Sequence, residues 1–204
     1  MIFTKNALLN YSISTIRKKD DSYNDEQLAI IRYGLESIYI LITKTIFIFS
    51  VAILLNIFKE VLIFTLFYNL IRTTSFGLHA TKSWMCTVAS TLIFITIPYL
   101  CLIYDINIYI RAFIGIIAII LIFKNAPADT YKRPIVSKKR RDKFKFISTI
   151  ISILMVMTSL LIEDIFIHNA LILSLTIQCF MISPMVYKLF NLPYDNYKTY
   201  QNYD

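Results

Sequence analysis

Glycine is scarce in this chain, at three residues of 204. Phosphate and dinucleotide loops need glycine where backbone meets ligand, and neither fingerprint is present. Histidine is scarcer, at two. Neither histidine sits in a cluster of cysteines or acids, which argues against a metal centre. The three cysteines, Cys86, Cys101 and Cys179, lie in or beside apolar stretches. An odd number at such positions does not read as a disulfide framework. Period-two alternation is missing, which excludes a membrane β-barrel. No cleavable leader is expected, because Lys5 and Asn10 break the first apolar run and no small-residue cleavage site follows.

What is present in excess is apolar side chain. Hydrophobic residues make up 57% of the chain, and the mean hydropathy is +0.61. A soluble domain sits near about 45–50% apolar. The apolar stretches are continuous, as helices in lipid require. The sequence therefore predicts an all-α polytopic membrane protein, with residues 1–204 forming a single integral membrane domain.

Residues 2–16 place Ile2, Leu9, Ile13 and Ile16 at helical spacing, with Lys5, Asn6 and Asn10 elsewhere on the wheel. With Arg17-Lys18-Lys19 following, segment 1–20 reads as an amphipathic helix on the membrane surface. Six candidate spans come next. Residues 37–57, 83–104, 146–162 and 165–190 are long enough to cross. Residues 61–71 reach only about 16 Å as helix. Residues 106–123 are just long enough but carry Arg111. These two are the short or re-entrant members of a set of about six. The tail from Pro193 onward is polar and tyrosine-rich, and no internal repeat is visible.

The net charge is +8, and nine of the 21 Lys+Arg lie between Lys124 and Lys145. Both basic runs flank apolar segments. They point to membrane lipid rather than nucleic acid, and to the cytoplasmic side. If all six segments cross with the N-terminus inside, the inner loops are 72–82, 124–145 and the C-terminus. The outer loops then hold only Lys59, with Arg111 just inside a span. If 61–71 and 106–123 are both re-entrant, four spans remain and segment 72–86 faces out unless a re-entrant segment returns it. Charge alone does not separate the two.

One stretch suggests chemistry. Arg72-Thr-Thr-Ser-Phe-Gly77-Leu-His79-Ala-Thr-Lys82-Ser83-Trp-Met-Cys86 brings a base and a thiol together with glycine and two cations. A nucleophilic cysteine must be a thiolate. His79 can serve as its base, while Arg72 and Lys82 supply positive potential. Ser83 as N-cap would put Cys86 in the first turn of a helix, where the macrodipole favours an anion. If 79–86 were one helix, the two side chains would lie about 10 Å apart along it, too far for proton transfer. A dyad therefore needs His79 in a loop folded back over the helix start, and Gly77 and the polar run 72–77 supply such a loop.

Other polar residues are weaker candidates. Cys101 and Cys179 have no polar company and read as packing residues. His168, beside Asn169 and after Glu163-Asp164, reads as a solvated interfacial histidine. Lys44 and Arg111 are intramembrane cations, and such residues are functional candidates by default. Glu36 lies two turns before Lys44 on roughly the same face. Arg111 is near a helix end, where snorkelling is easy.

The segment Arg72…Gly77-Leu-His79-Ala…Cys86 is similar to the core of the accessory gene regulator B (AgrB) family, membrane cysteine endopeptidases of Gram-positive quorum sensing. The order of features resembles that family over nearly the whole chain. An N-terminal amphipathic helix comes first, then Tyr33-Gly34-Leu35-Glu36 entering the first span, the His/Cys segment and a Lys132-Arg-Pro-Ile135 loop. The family often carries two adjacent glycines before the histidine, where this chain has Phe76-Gly77.

The resemblance implies an enzyme that acts on an AgrD-type propeptide. Cys86, assisted by His79, would cut off the C-terminal segment. An internal Cys or Ser of the propeptide would then capture the acyl-enzyme as a thiolactone or lactone. Arg72, Gly77, Lys82, Ser83, Glu36 and Lys44 are supporting candidates. Lys138, Lys139, Arg140 and Arg141 are candidates for holding the acidic released segment. The expected location is the cell membrane, multi-pass, with both termini and the catalytic pair toward the cytoplasm. No cofactor is expected, and assembly as a homodimer is left open. A second reading is a small non-catalytic transporter or scaffold with Lys44 and Arg111 lining a path.

Overall fold

A computed structural model describes residues 5–19, 23–78, 83–130 and 134–200, with the backbone alone for residues 19 and 83–86. Among these residues the protein is helical, with no named strand and an isolated bridge between Phe76 and Ala128. Eight α-helices follow in order: α1 (Lys5–Lys19), α2 (Asp25–Leu54), α3 (Phe58–Ser75), α4 (Ser83–Ile103), α5 (Ile108–Asn125), α6 (Lys138–Leu161), α7 (Ile165–Ile182) and α8 (Pro184–Leu189). A short 3₁₀ turn, Asn196–Thr199, closes the described chain. The described residues fall into two compact units, Met1–Val51 and Ala52–Asp204.

The helices lie where the apolar runs predict, with three instructive differences. Residues 61–71 belong to α3, which has 18 residues and so reaches about 27 Å. The polar flanks Lys59-Glu60 and Arg72-Thr-Thr-Ser75 are helical too, which a count of apolar residues misses. Residues 106–123 form one unbroken helix, α5. The expected last span, 165–190, breaks after Ile182. Pro184 is the first residue of α8 and cannot donate back into α7. Among the described residues four helices, α2, α5, α6 and α7, are long and apolar enough to cross a membrane, and α4 holds a further apolar stretch, Thr87–Ile103.

In the larger unit, α7 is the central helix, packed against α3, α4, α5 and α6. Helices in lipid gain little from apolar burial and associate instead through close packing. The α5–α6 seam shows this. The inward face of α5 is Arg111, Gly115, Ala118 and Ile122. A Cβ on Gly115 would stand 2.6 Å from Val156 Cγ1 of α6. α6 answers with Ser148, Ser152 and Ser159 on its buried face. The outward residues of α5, such as Phe113, Ile116 and Ile120, are large and apolar, as a lipid-facing surface should be.

Two polar residues are more buried than their positions suggest. Arg111 was expected to snorkel from a helix end, yet it is 7% exposed and donates to the carbonyl of Ser159, three residues from the end of α6. His168 was expected to be solvated, yet it is 3% exposed. Its Nδ1 faces the Ile162 carbonyl at 3.3 Å and its Nε2 faces Asp105 Oδ1 at 3.0 Å. Beside it, Asn169 donates to the carbonyls of Cys101 (3.2 Å) and Tyr104 (2.5 Å). The physical reason is shared. The last carbonyls of α4 and α6 have no intrahelical donor, and lipid offers none. Cys101 and Cys179 are buried packing residues, as read from the sequence.

Candidate functional site

The site is built from the C-terminus of α3. Thr73, Thr74 and Ser75 return their hydroxyls to carbonyls of the preceding turn, Ser75 to Ile71 at 2.7 Å. Such back-bonding competes with helix propagation. Arg72 then folds over the helix end. Its Nη1 donates to the Phe76 carbonyl (2.8 Å) and its Nη2 to those of Gly77 (3.3 Å) and Leu78 (2.6 Å). A cation at a helix C-terminus also suits the macrodipole.

Residues 76–78 take a course that side chains disfavour. Phe76 has φ 56° and ψ −134°, and Gly77 has φ 113°. A Cβ on Gly77 would lie 2.6 Å from the Met181 carbonyl oxygen and 2.8 Å from Arg72 Nη1. Both space and conformation therefore require glycine there. Phe76 occupies a region that glycine enters freely. The Phe76-Gly77 pair is thus strained and held by its surroundings. The Phe76 ring packs edge-on to Phe144 of α6, centroids 4.9 Å apart.

Four further bonds hold this loop. Gly77 N–H donates to the Ala128 carbonyl at 2.8 Å and Ala128 N–H to the Ser75 carbonyl at 3.0 Å. Leu78 N–H donates to the Met181 carbonyl at 2.9 Å. Gln178, fully buried in α7, donates Nε2 to the Phe76 carbonyl at 2.7 Å. The same Nε2 also lies 2.6 Å from Ser75 Oγ. Three elements, α3, α7 and the 126–129 segment, thus converge on the two residues before His79.

His79 and Lys82 lie outside the described residues. α4 is described from Ser83 onward, and the backbone of Cys86 is helical there. α3 ends at Ser75 and residues 76–78 are not helical, so α3 and α4 are separate helices.

The basic run opens α6. Ser137 caps it, its hydroxyl accepting the Arg140 N–H at 3.5 Å. Lys138, Lys139 and Arg140 are exposed. Arg140 lies over the Phe144 ring at 5.5 Å, and Phe144 touches Phe76, so the basic cluster and the loop are neighbours. Arg141 differs from the other three. It is half-buried, with its guanidinium 3.3 Å from the Tyr197 ring centroid. In the smaller unit Glu36 takes Lys5 as its ion-pair partner, and Lys44 is half-buried in α2.

Arg72, Lys124 and the α6 cluster lie at the end where α3, α5 and α7 finish and α6 starts, together with Asp129 and Asp142. Asp105, Glu163 and Asp164 lie at the other, with Lys59 and the buried Arg111. Sequence reasoning missed Gln178, Met181, Ala128 and Asp129 as neighbours of the site. Gln178 carried a usable signal, being an amide in the middle of an apolar span. The others had none, since two act through main-chain atoms.

Comparison with known proteins places these features in a family context. Residues 9–182 match the family described as Accessory gene regulator B. An AgrB-like protein of Clostridium acetobutylicum is 33% identical over 175 residues, 86% of this chain and 84% of that one. An AgrB-like protein of Listeria innocua is 32% identical over 191 residues, 93% of this chain and 91% of that one. The accessory gene regulator protein B of Staphylococcus aureus is 30% identical over 174 residues, 85% of this chain and 92% of that one. No solved structure matches.

Proposed function

The chain belongs to the accessory gene regulator B family and is a multi-pass membrane protein; on that premise we propose that it is a cysteine endopeptidase that matures a quorum-sensing propeptide of the AgrD type. The observation that carries this reading is the clamped, strained loop 76–78. It leads toward His79 in sequence, and the backbone of Cys86 is helical within α4 beyond it. Strain of about 1–3 kcal/mol per residue persists only where the surroundings over-determine it, and it collects at functional sites.

The chemistry follows from the residue types. The Cys86 thiolate, favoured by the start of α4 and by Arg72 and Lys82, attacks a peptide carbonyl of the propeptide. A C–S bond forms, the C–N bond breaks, and His79 hands its proton to the leaving amine. The C-terminal segment departs. A thiol or hydroxyl within the propeptide then gives its proton to His79, attacks the acyl-thioester and releases Cys86. The product is a thiolactone or lactone. Little covalent energy is lost between thioester and thiolactone, so ring closure competes with hydrolysis only if water is kept out.

The exposed cations Lys138, Lys139 and Arg140 stand beside the loop and suit an acidic leaving segment, with attraction screened beyond about 8 Å at physiological salt. The basic end of the bundle faces the cytoplasm in this reading, where the propeptide is made. The test is co-expression of the chain with its propeptide, native against Cys86→Ala, with the products weighed by mass spectrometry. The expected result is a cyclic product and a free C-terminal segment from the native chain and uncut propeptide from the variant.

A further inference from the structure

Asp129 lies outside both the His79–Cys86 stretch and the basic run, and it is 4% exposed. Its Oδ2 accepts the main-chain N–H of Tyr197 at 2.9 Å and of Ile135 at 3.3 Å. Its Oδ1 accepts the N–H of Asn196 at 2.9 Å and Asn196 Nδ2 at 3.4 Å. Its own carbonyl accepts the Tyr187 hydroxyl at 3.0 Å. A buried carboxylate is costly unless donors surround it. Here the donors are mainly backbone groups, one six residues on and the others in the distant C-terminal segment. Two of them are the first N–H groups of the 3₁₀ turn Asn196–Thr199, which have no partner within that turn.

The neighbouring residue faces the other way. Ala128 exchanges two main-chain bonds with the loop, taking Gly77 N–H and giving to the Ser75 carbonyl. Adjacent residues thus join two structures, the loop that leads into His79 and the C-terminal segment. Segment 126–130 is not helical, so its stiffness comes from the groups that hold it, the bridge to Phe76 among them. The C-terminal segment is held firmly. Arg141 stacks on Tyr197, Tyr187 packs edge-on to Tyr194 with centroids 5.1 Å apart, and Tyr194 donates to the Asn125 carbonyl at 3.4 Å. Burial keeps both phenols neutral above the usual tyrosine range, Tyr194 up to about 12.

We propose that Asp129 is a positioning residue for propeptide cleavage, fastening the C-terminal segment to the strand-like stretch that carries the loop before His79, so that the tail is part of the active-site scaffold. The proposal rests on the cysteine-endopeptidase reading. Its physical basis is the strain in residues 76–77. A strained loop relaxes when one of its clamps loosens, and a misplacement of about 1 Å costs about 100-fold in rate. The Ala128 clamp can be no stiffer than Asp129 makes it.

The experiment uses the full chain in nanodiscs, with Cys101→Ala and Cys179→Ala as background, and an AgrD-type propeptide as substrate. Two variants are compared with it, Asp129→Asn and a chain ending at Phe190, which leaves α2–α8 intact. Both should lower kcat about tenfold or more while KM stays within about twofold. Both should also shift the pH midpoint of Cys86 alkylation by iodoacetamide upward, because a displaced His79 no longer favours the thiolate. Loss of fold alone would not move that midpoint in the fraction that remains inserted. An unchanged alkylation profile in both variants overturns the proposal, whatever the activity. Cleavage by Cys86→Ala at the native rate overturns the endopeptidase reading instead.

Discussion

The guanidinium of Arg72 reaches past the end of its own helix to the carbonyl of Leu78, 2.6 Å away. Six residues of chain separate the two, and the bond turns that chain back over α3. Arg72 thus closes the end of α3 and holds the course of residues 76–78.

The catalytic pair is the first thing to test. Cys86→Ala should lower propeptide cleavage by a factor on the order of 10⁴ or more, and His79→Ala by about 10²–10⁴. Both proteins should still insert. Cys101→Ala and Cys179→Ala should cut as the native chain does, since both thiols are packing groups. A quantitative cleavage assay on purified protein decides, and native-like cutting by Cys86→Ala would end the proposal.

Phe76 and Gly77 should respond differently. Gly77→Ala puts a methyl 2.6 Å from a carbonyl oxygen at φ 113°. It should cost about 1–3 kcal/mol in thermal stability and most of the cleavage rate. Phe76→Gly removes the strain of φ 56° but loses the edge contact with Phe144. Those effects are each about 1 kcal/mol and opposed, so stability should change little. A melting curve in detergent for each variant gives the answer; a destabilised Phe76→Gly with a stable Gly77→Ala would mean the loop is described wrongly.

The cations of α6 should act on affinity. Replacing Lys138, Lys139 and Arg140 with Gln should raise KM several-fold for a propeptide with an acidic tail. It should have little effect on one with a neutralised tail. Arg141→Gln should behave differently, because Arg141 is engaged with Tyr197; it should loosen the C-terminal segment and lower kcat. Orientation must be checked in parallel, since removing inner charges can invert a span. Equal KM values for both substrates would reduce the cluster to a topogenic role.

Access to Cys86 should come from the cytoplasmic side. In intact cells carrying the chain with Cys86 as its lone cysteine, a membrane-impermeant maleimide should leave the protein unlabelled. The same reagent should label it in inverted vesicles. Labelling of intact cells would require the basic end to face outward and a different route for the substrate.

Much of the fold was legible because helices in lipid declare themselves by continuous apolar runs. The limits of α3 were not legible, because a membrane helix can extend into polar residues when a neighbour such as Gln178 or Ala128 receives them. Arg111 and His168 were misjudged for a related reason. Their exposure is set by which carbonyls lie opposite, and sequence position carries none of that. Glycine in Gly77 was readable as a turn, but the oxygen of Met181 that forbids any side chain there comes from a residue over one hundred positions away.

The acidic end of the bundle has a consequence for transport. Arg111, His168 and Asn169 take up carbonyls at the ends of α4 and α6, and below them Ile122, Ile172 and Leu175 leave no exposed surface. A polypeptide or a file of water entering from that end would have to break those bonds and part that layer together. Among the described residues the larger unit is thus corked at that end. On the function proposed above, a peptide processed at the basic end gains no passage through this layer, and leaves along the lipid or is handed to another carrier.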